Sequence, residues 1–292
     1  MSLYKMTPFT GVATALVTPF SGGKIDFDAL AVLIEHQIAG DARAILVAGT
    51  TGESATLSDD EHFALVSFAK RQIGGRLPLL AGCGSNSTAH AVHLARIACE
   101  AGADALLAVT PYYNKASDRG LIEHYVTLAD SAEKPLILYN VPSRTGVSLK
   151  MDHYRALAEH ERIVGVKEAS GDLTLLESLS SECGDRLDVY VGNDHQTVAA
   201  MRLGAMGVIS VYSNLEPAAM SEITRLCAAG DFHLAAQRQR ALLPKINAMF
   251  REVNPIPIKY ALSLRGLCAA EYRLPLTPPS PEVARMLRGL FE

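Results

Sequence analysis

The sequence predicts a (β/α)8 TIM barrel followed by a C-terminal helical appendage, and three observations support this prediction. Eight short β-rich runs alternate with helix-like segments, and their starts lie roughly 20–35 residues apart, as in βα units. After Val211 the sequence becomes helix-periodic. A doubly wound open sheet is the alternative, but residues 18–23 (Thr-Pro-Phe-Ser-Gly-Gly) lack the dinucleotide fingerprint usual after its first strand.

The individual elements are predicted from runs of β-favouring residues, from helix-like segments and from the residues at the ends of those segments. Ser58 and Glu61 have the spacing of a capping box, and glycine follows the ends of several helix-like segments. The predicted strands are 12–17, 44–47, 77–81, 105–109, 135–139, 163–167, 188–191 and 208–211. The predicted helices of the barrel are 26–39, 59–73, 88–101, 119–131, 151–159, 173–183 and 195–203.

The C-terminal part is predicted to be helical, with proline and glycine as punctuation. We expect helices at 217–229, 232–252 and 257–266, of which the first closes the barrel. Several prolines then predict a stiff, extended segment before a last helix at 281–290. This pattern divides the chain into a catalytic barrel, 1–229, and a C-terminal helical domain, 230–292.

Composition excludes several classes of function. The 292 residues are 49% hydrophobic and carry a net charge of −4 without a basic stripe, so we expect no nucleic-acid partner. No apolar run reaches the ~18 residues of a membrane span, and residues 1–9 lack signal-peptide features. The odd number of widely spaced cysteines predicts reduced thiols and a cytoplasmic location. These cysteines are Cys83, Cys99, Cys183, Cys227 and Cys268.

One predicted strand ends in a lysine. In regular alternation, Ile163, Gly165 and Lys167 share one face, and Val164 and Val166 share the other. If both faces are buried, Lys167 points into the barrel, and Gly165 leaves room beneath it. Desolvation lowers a lysine pKa, and the neutral amine can form a Schiff base with a ketone or aldehyde. A lysine that snorkels to solvent is the alternative.

Polar and aromatic residues follow the other predicted strands. They occur at residues 49–54 (Gly-Thr-Thr-Gly-Glu-Ser), 110–114, 139–146 and 192–194. Function in a barrel lies at the C-terminal ends of the strands, so these segments converge on the mouth that Lys167 faces. Their convergence favours a catalytic role for Lys167 over a side chain that extends to solvent.

Four motifs resemble the dihydrodipicolinate synthases, within the pyruvate-dependent class I aldolases and lyases. They are Gly-Thr-Thr-Gly-Glu-Ser at 49–54, Tyr-Asn-Val-Pro-x-Arg-Thr at 139–145, Val-Lys-Glu-Ala-x-Gly-Asp at 166–172 and Asn-Pro-Ile-Pro at 254–257. The similarity covers nearly the whole chain. It implies condensation of pyruvate with aspartate semialdehyde, toward diaminopimelate and lysine.

The resemblance implies a role for each matching residue. Lys167 would form the pyruvate imine, and Tyr139, Thr51 and Tyr113 would relay protons. Tyr113 would enter the site of a neighbouring subunit in a homotetramer, a dimer of dimers. The alternatives are a core aromatic for Tyr139, a turn cap for the threonines and a lid on its own barrel for Tyr113. The substrate-binding positions implied are Thr50, Thr51, Arg144, Gly192 and Ile209.

Arg144 favours the synthase over other members of the wider family. A guanidinium binds a carboxylate through a planar two-pronged contact, and aspartate semialdehyde carries a carboxylate. The sugar substrates of N-acetylneuraminate lyase or a ketodeoxygluconate aldolase present mainly hydroxyls. A surface salt bridge is the structural alternative for Arg144, and a non-catalytic pyruvate sensor is the alternative function.

Neither a metal nor a cofactor is expected, since the protonated imine itself acts as the electron sink. The sequence lacks His-Glu-x-x-His. His90 and His93 lie three residues apart on one predicted helix, but we expect no carboxylate near them and therefore interpret them as surface residues rather than metal ligands.

A regulatory lysine site is the last feature that the resemblance implies, and here the sequence departs from the family pattern. Asp59 replaces a histidine, and His90 replaces a glutamate that would meet the ammonium groups of lysine. We therefore expect weak or absent inhibition by lysine, unless Asp59 compensates. The matching positions are Ser54, Ala55, Asp59, His62, Asn86, His90 and Tyr112.

Overall fold

Eight parallel strands close into a barrel in the computed structural model, which describes residues 7–291. The strand order around the barrel is β1-β10-β9-β8-β7-β6-β5-β4, and β2 and β3 form a separate antiparallel hairpin. This confirms the predicted barrel. The strands are β1 Gly11–Ala15, β2 Phe20–Ser21, β3 Lys24–Ile25, β4 Ala44–Val47, β5 Leu79–Gly82, β6 Ala105–Val109, β7 Leu136–Asn140, β8 Ile163–Glu168, β9 Asp188–Val191 and β10 Gly207–Ser210.

The helices alternate with the strands and then continue beyond the barrel. Those within the βα units are α1 Phe27–Ala39, α2 Asp59–Ile73, α3 Thr88–Glu100, α4 Asp118–Ser131, α5 Pro142–Thr145, α6 Met151–Leu157, α7 Leu173–Cys183 and α8 Thr197–Arg202. Those that follow are α9 Pro217–Ala228, α10 Phe232–Ala248, α11 Ile256–Leu264 and α12 Pro281–Phe291. The predicted bounds differ from these by a few residues, and the capping box of Ser58 and Glu61 is present at α2.

The sequence pattern does not predict the β2–β3 hairpin or the short helix α5. The β2–β3 hairpin has strands of only two residues each. The short helix α5 begins with Pro142, whose fixed φ suits the first helical position, and it ends at Gly146 in the left-handed region (φ 70°). Arg144 therefore lies on a short helix at the mouth of the barrel.

Apolar side chains form two cores, one inside the barrel and one between the barrel and the helices. Register shifts near the start of β8, where Leu136 of β7 pairs with Ile163 and Ile137 pairs with Gly165. This irregularity places Ile163 in the outer core and Val164 in the inner core. The predicted faces of these two residues are therefore wrong, because a β-bulge adds one residue to the alternation. Lys167 keeps its predicted inward direction beside Tyr139.

The C-terminal helices pack on the barrel and reach its mouth. Helix α9 contacts β1 and α1, at the junction of the first and last barrel strands, and residues 265–280 contain neither helix nor strand before α12. The predicted barrel, 1–229, includes residues 1–6, and the predicted helical domain, 230–292, includes residue 292. These seven residues lie outside the described residues.

No helix between residues 7 and 291 has the length and apolar character that a membrane crossing requires.

Candidate active site

A cavity of about 570 Å³ opens at the C-terminal ends of the barrel strands. Several predicted site residues line it: Thr50, Thr51, Tyr139, Arg144, Lys167 and Gly192. These residues come from separate βα units, so the closure of the barrel brings them together. The convergence expected from strand order is therefore present.

Lys167 lies near the end of β8 and is only 5% exposed. Its Nζ lies 4.4 Å from the centroid of the Tyr139 ring. A Cβ added at Gly192 would lie 3.0 Å from Lys167 Cε, whereas one added at Gly165 would meet Tyr190 and the Asp188 carbonyl. The closest neighbours of Gly165 are therefore on β9, and the glycine that Lys167 Cε approaches is Gly192, in the loop after β9.

The Lys167 amine has a lowered pKa. Burial lowers it to about 8, the charge of Asp194 opposes this decrease, and the charge of Arg144 adds to it. A pKa near 8 leaves about a tenth of the amine neutral at pH 7, compared with well under 0.1% for an unperturbed lysine. A measurable fraction of the Lys167 side chain is therefore a neutral amine at pH 7, and the neutral amine is the nucleophilic form of lysine.

Asp194 supplies the negative charge that sequence reasoning did not single out. Its carboxylate is completely buried and accepts hydrogen bonds from the Ser210 hydroxyl at 2.5 Å and from the backbone nitrogens of Val211 and Tyr212 at 3.0 and 3.1 Å. Burial raises the Asp194 pKa, and these donors and Lys167 oppose that increase. Its position two residues after Gly192 was the only signal in the sequence.

Two hydroxyl-bearing segments meet beside the amine. Burial raises the pKa of Tyr139 above its usual value, while the charge of Arg144 and a side-chain hydrogen bond with Thr50 lower it. Tyr139 is therefore a protonated phenol at neutral pH. Thr51 is buried, and its Oγ1 accepts a hydrogen bond from Asn254 Nδ2 at 2.9 Å. The direction of that bond leaves the Thr51 proton available to another acceptor.

Asn254 also contacts the predicted carboxylate-binding residue. Arg144 Nη2 donates a hydrogen bond to the Asn254 carbonyl oxygen at 3.3 Å. Arg144 is exposed and lines the cavity beside Ser143. Asn254 was recognised only as part of the Asn-Pro-Ile-Pro motif, because its contacts with Thr51 and Arg144 join residues far apart in sequence.

Ile209 and Tyr113 do not line this cavity. Ile209 lies on β10, completely buried in the inner core. Tyr113 is 85% exposed and has a φ of 71°, in the left-handed region that non-glycine residues seldom adopt. Its neighbour Tyr112 is less exposed and lines the cavity. Tyr112 thus lies at the cavity of this barrel, whereas Tyr113 lies outside the cavity and is exposed.

The residues that match the lysine-site pattern lie along another part of the same cavity. Most of them line it: Ser54, Ala55, Asp59, His62, His90 and Tyr112. Asn86 is exposed and does not line it. His62 is buried, its Nε2 contacts the Gly82 carbonyl oxygen at 2.7 Å, and burial lowers its pKa, so the ring is neutral at pH 7.

Asp59 corrects the expectation that His90 and His93 have no nearby carboxylate. Its two oxygens lie 3.2 Å from His90 Nε2 and 3.1 Å from His93 Nε2. The hydrogen bond from His90 is the largest cause of the lowered Asp59 pKa. The contact joins α2 to α3, which sequence spacing could not reveal. Even so, within residues 7–291 no three His, Cys, Asp or Glu side chains are arranged to hold a metal ion.

Comparisons with known proteins agree with this geometry. A family model described as the dihydrodipicolinate synthetase family matches residues 8–291. A 4-hydroxy-tetrahydrodipicolinate synthase of Geobacter sulfurreducens is 48% identical over 272 residues, which is 93% of this chain and 94% of that protein.

Two solved structures are also similar. The first is a chloride-inhibited dihydrodipicolinate synthase from Acinetobacter baumannii complexed with pyruvate, with a TM-score of 0.94, 42% identity and 97% coverage of both chains. The second is a structure from Cyanidioschyzon merolae with lysine bound, with a TM-score of 0.93, 35% identity and 96% coverage of both chains.

Proposed function

The chain belongs to the dihydrodipicolinate synthetase family, and from that premise we propose that Lys167 is the amine with which it condenses pyruvate and L-aspartate 4-semialdehyde. The product is 4-hydroxy-tetrahydrodipicolinate, on the route to diaminopimelate and lysine. The enzyme is a lyase of the class I aldolase type. The observation that supports the role of Lys167 is a desolvated amine with a pKa of about 8 at the mouth of the barrel.

Lys167 begins the reaction as a nucleophile. Its neutral amine attacks the ketone carbon of pyruvate, and loss of water gives a protonated imine. The imine withdraws electrons from the adjacent methyl group, which loses a proton to give an enamine. The enamine carbon then forms a bond with the aldehyde carbon of the second substrate, whose oxygen takes up a proton. Attack of the substrate's own amine on the imine carbon releases Lys167.

Tyr139 and the two threonines supply the proton transfers. Tyr139 is protonated before reaction because burial raises its pKa, so it acts first as a donor, when water leaves. The side-chain hydrogen bond between Tyr139 and Thr50 gives the proton a path away from the imine. Thr51 extends the relay, with its hydroxyl oriented by Asn254.

Arg144 binds the carboxylate of aspartate semialdehyde at the outer part of the cavity. Its guanidinium is held by one hydrogen bond to the Asn254 carbonyl oxygen, and its fork geometry suits a carboxylate. Its positive charge also lowers the Lys167 pKa. We assign Gly192 and Ile209 to the pyruvate end, where Gly192 lies against Lys167 Cε and Ile209 lies in the inner core below.

We further propose that the enzyme is a cytoplasmic homotetramer, a dimer of dimers, in which Tyr113 enters the neighbouring site. Support for this role of Tyr113 comes from its 85% exposure and strained backbone, which suit a residue held in place by a partner. Free cysteines at all five positions suit a reducing compartment. We keep the boundary between the catalytic barrel and the helical domain at 229–230, between α9 and α10.

A turnover assay with a panel of aldehydes tests the function. With pyruvate present, we expect the highest kcat/KM for aspartate semialdehyde and much lower values for aldoses such as N-acetylmannosamine or glyceraldehyde, which lack a carboxylate for Arg144. Product formation is measured through a coupled reductase. Tight pyruvate binding without turnover of any aldehyde would instead identify a sensor.

Free lysine is expected to inhibit this enzyme weakly or not at all. Both carboxylate oxygens of Asp59 already contact histidines, so Asp59 does not replace the missing glutamate as an ammonium partner. Loss of one charge-assisted contact, about 1.5–3 kcal/mol, weakens binding by about tenfold or more. Lysine is titrated into the steady-state assay, beside the double variant Asp59→His/His90→Glu, which we expect to gain sensitivity. Half-inhibition of the unaltered enzyme at submillimolar lysine would contradict this prediction.

A further inference from the structure

A completely buried ion pair joins the C-terminal appendage to the turn that carries the catalytic threonines. Lys259 Nζ of α11 lies 2.5 Å from Glu53 Oε1, and both side chains are 0% exposed. Breaking such a pair leaves an uncompensated buried charge. Neither residue has a role in the reaction as described above.

Glu53 lies in the turn formed by residues 49–54, immediately after Thr50, Thr51 and Gly52. Its φ is 54°, in the left-handed region, which is strained for a residue with a Cβ. Its second oxygen, Oε2, accepts a hydrogen bond from the backbone nitrogen of Arg273 at 3.2 Å. Both carboxylate oxygens of Glu53 are therefore held by the C-terminal part of the chain, and these contacts keep the strained backbone in place.

Lys259 is held as firmly as its partner. Its Nζ lies 4.1 Å from the centroid of the Phe20 ring and 5.5 Å from that of Tyr272. Burial lowers the Lys259 pKa, whereas the charge and hydrogen bond of Glu53 raise it. The aromatic rings and Glu53 thus fix the ammonium group in one position.

Backbone hydrogen bonds within the turn couple the position of Glu53 to the positions of the two threonines. The backbone nitrogen of Glu53 donates a hydrogen bond to the Thr50 carbonyl oxygen at 3.1 Å, and that of Ser54 donates one to the Gly49 carbonyl oxygen at 3.3 Å. The appendage also reaches Thr51 directly, through the hydrogen bond from Asn254. A shift of Glu53 would therefore displace the hydroxyls of Thr50 and Thr51, which lie three and two residues before it.

We propose that Lys259 is a positioning residue: through its buried ion pair with Glu53, it holds the turn 49–54 so that Thr50 and Thr51 can transfer protons to and from Tyr139. The proposal rests on the proposed function, because it assumes that these hydroxyls serve the imine on Lys167. It assigns to the C-terminal appendage a part in catalysis, since α11 sets the geometry of a turn at the barrel mouth.

The test is the variant Lys259→Met, which keeps an unbranched side chain over Phe20 but removes the charge. We expect kcat to decrease by about tenfold or more, a part of the usual contribution of general acid–base catalysis. Trapping of the pyruvate imine by borohydride should continue at Lys167. With methyl-deuterated pyruvate, the isotope effect on kcat should increase, because removal of the methyl proton becomes rate-limiting.

Lys245→Met is the matched control. Lys245 forms an ion pair with Glu216 at 2.7 Å, also from an appendage helix, but neither residue touches the turn 49–54. We expect its kcat and isotope effect to equal those of the unaltered enzyme. A folded Lys259→Met variant with the same two values would overturn the proposal.

The double variant Glu53→Gln/Lys259→Met distinguishes a positioning role from a purely stabilising one. It also removes the buried carboxylate that Lys259→Met leaves without a partner, so it serves as the test protein if the single variant does not fold. Positioning predicts that the thermal unfolding temperature recovers while kcat stays low. Recovery of both would show that the pair serves folding alone and would overturn the proposal. Imine trapping at Lys167 in the unaltered enzyme is measured first, so its absence there would count against the proposed function and not against Lys259.

Discussion

Replacing Lys167 by methionine is expected to remove turnover almost completely, by about 10³-fold or more, as for loss of other catalytic nucleophiles. Methionine is unbranched and apolar, so it should fit the buried position, where the lysine is only 5% exposed. Without the amine, pyruvate cannot form an imine, and its methyl group does not become acidic. The measurement is kcat/KM for both substrates in the coupled assay.

Lys150→Met is a suitable control for that experiment. Lys150 precedes α6, is exposed and pairs with Asp118 on the surface, so we expect its loss to leave kcat/KM unchanged. Near-UV circular dichroism shows whether each variant is folded. Activity of a folded Lys167→Met variant within tenfold of the unaltered enzyme would exclude Lys167 as the nucleophile.

Replacing Arg144 by alanine is expected to reduce kcat/KM for aspartate semialdehyde by roughly 10- to 10²-fold, since a charge-assisted contact to a carboxylate is worth about 1.5–3 kcal/mol. Imine formation with pyruvate should persist, because Lys167 and Tyr139 remain. The Lys167 pKa should increase slightly, because the charge of Arg144 lowers it in the unaltered enzyme. Steady-state kinetics with each substrate varied in turn provide the test.

Two further variants sharpen the interpretation of Arg144. Arg144→Lys keeps the charge but loses the planar fork, so its kcat/KM should lie between those of the alanine variant and the unaltered enzyme. Arg119→Ala removes an arginine whose side chain is 87% exposed and whose ion pair with Glu123 lies on the surface of α4, and it should have no effect. Unchanged kinetics of Arg144→Ala toward the aldehyde would refute carboxylate binding by this residue.

The barrel could be predicted because its local signals agree with one another. Strands buried on both faces appear as apolar runs such as 44–47 and 105–109, and helices end near glycines such as Gly40 and Gly74. The faces of Ile163 and Val164 could not be predicted, because the bulge in β8 depends on its register with β7. A regular two-residue period assigns such residues to the wrong sides.

Much of the site could be predicted for a geometric reason: residues at the C-terminal ends of parallel strands meet at one mouth. Lys167, Tyr139 and Arg144 follow this rule. The residues of the C-terminal appendage that contact the mouth do not follow it. Asn254 reaches Thr51 across 203 positions of sequence, and Lys259 reaches Glu53 across 206. Such contacts depend on where the appendage docks, which neither periodicity nor motif spacing specifies.

Covalent trapping of pyruvate is the measurement that tests the central claim most directly. The enzyme is treated with pyruvate and borohydride at several pH values, then digested, and the modified peptide is identified by mass spectrometry. The expected result is a single reduced adduct on Lys167, formed at a rate that increases with pH as the amine loses its proton near its pKa of about 8. An adduct on another lysine, such as the buried Lys259, or no adduct under conditions of turnover, would contradict the account.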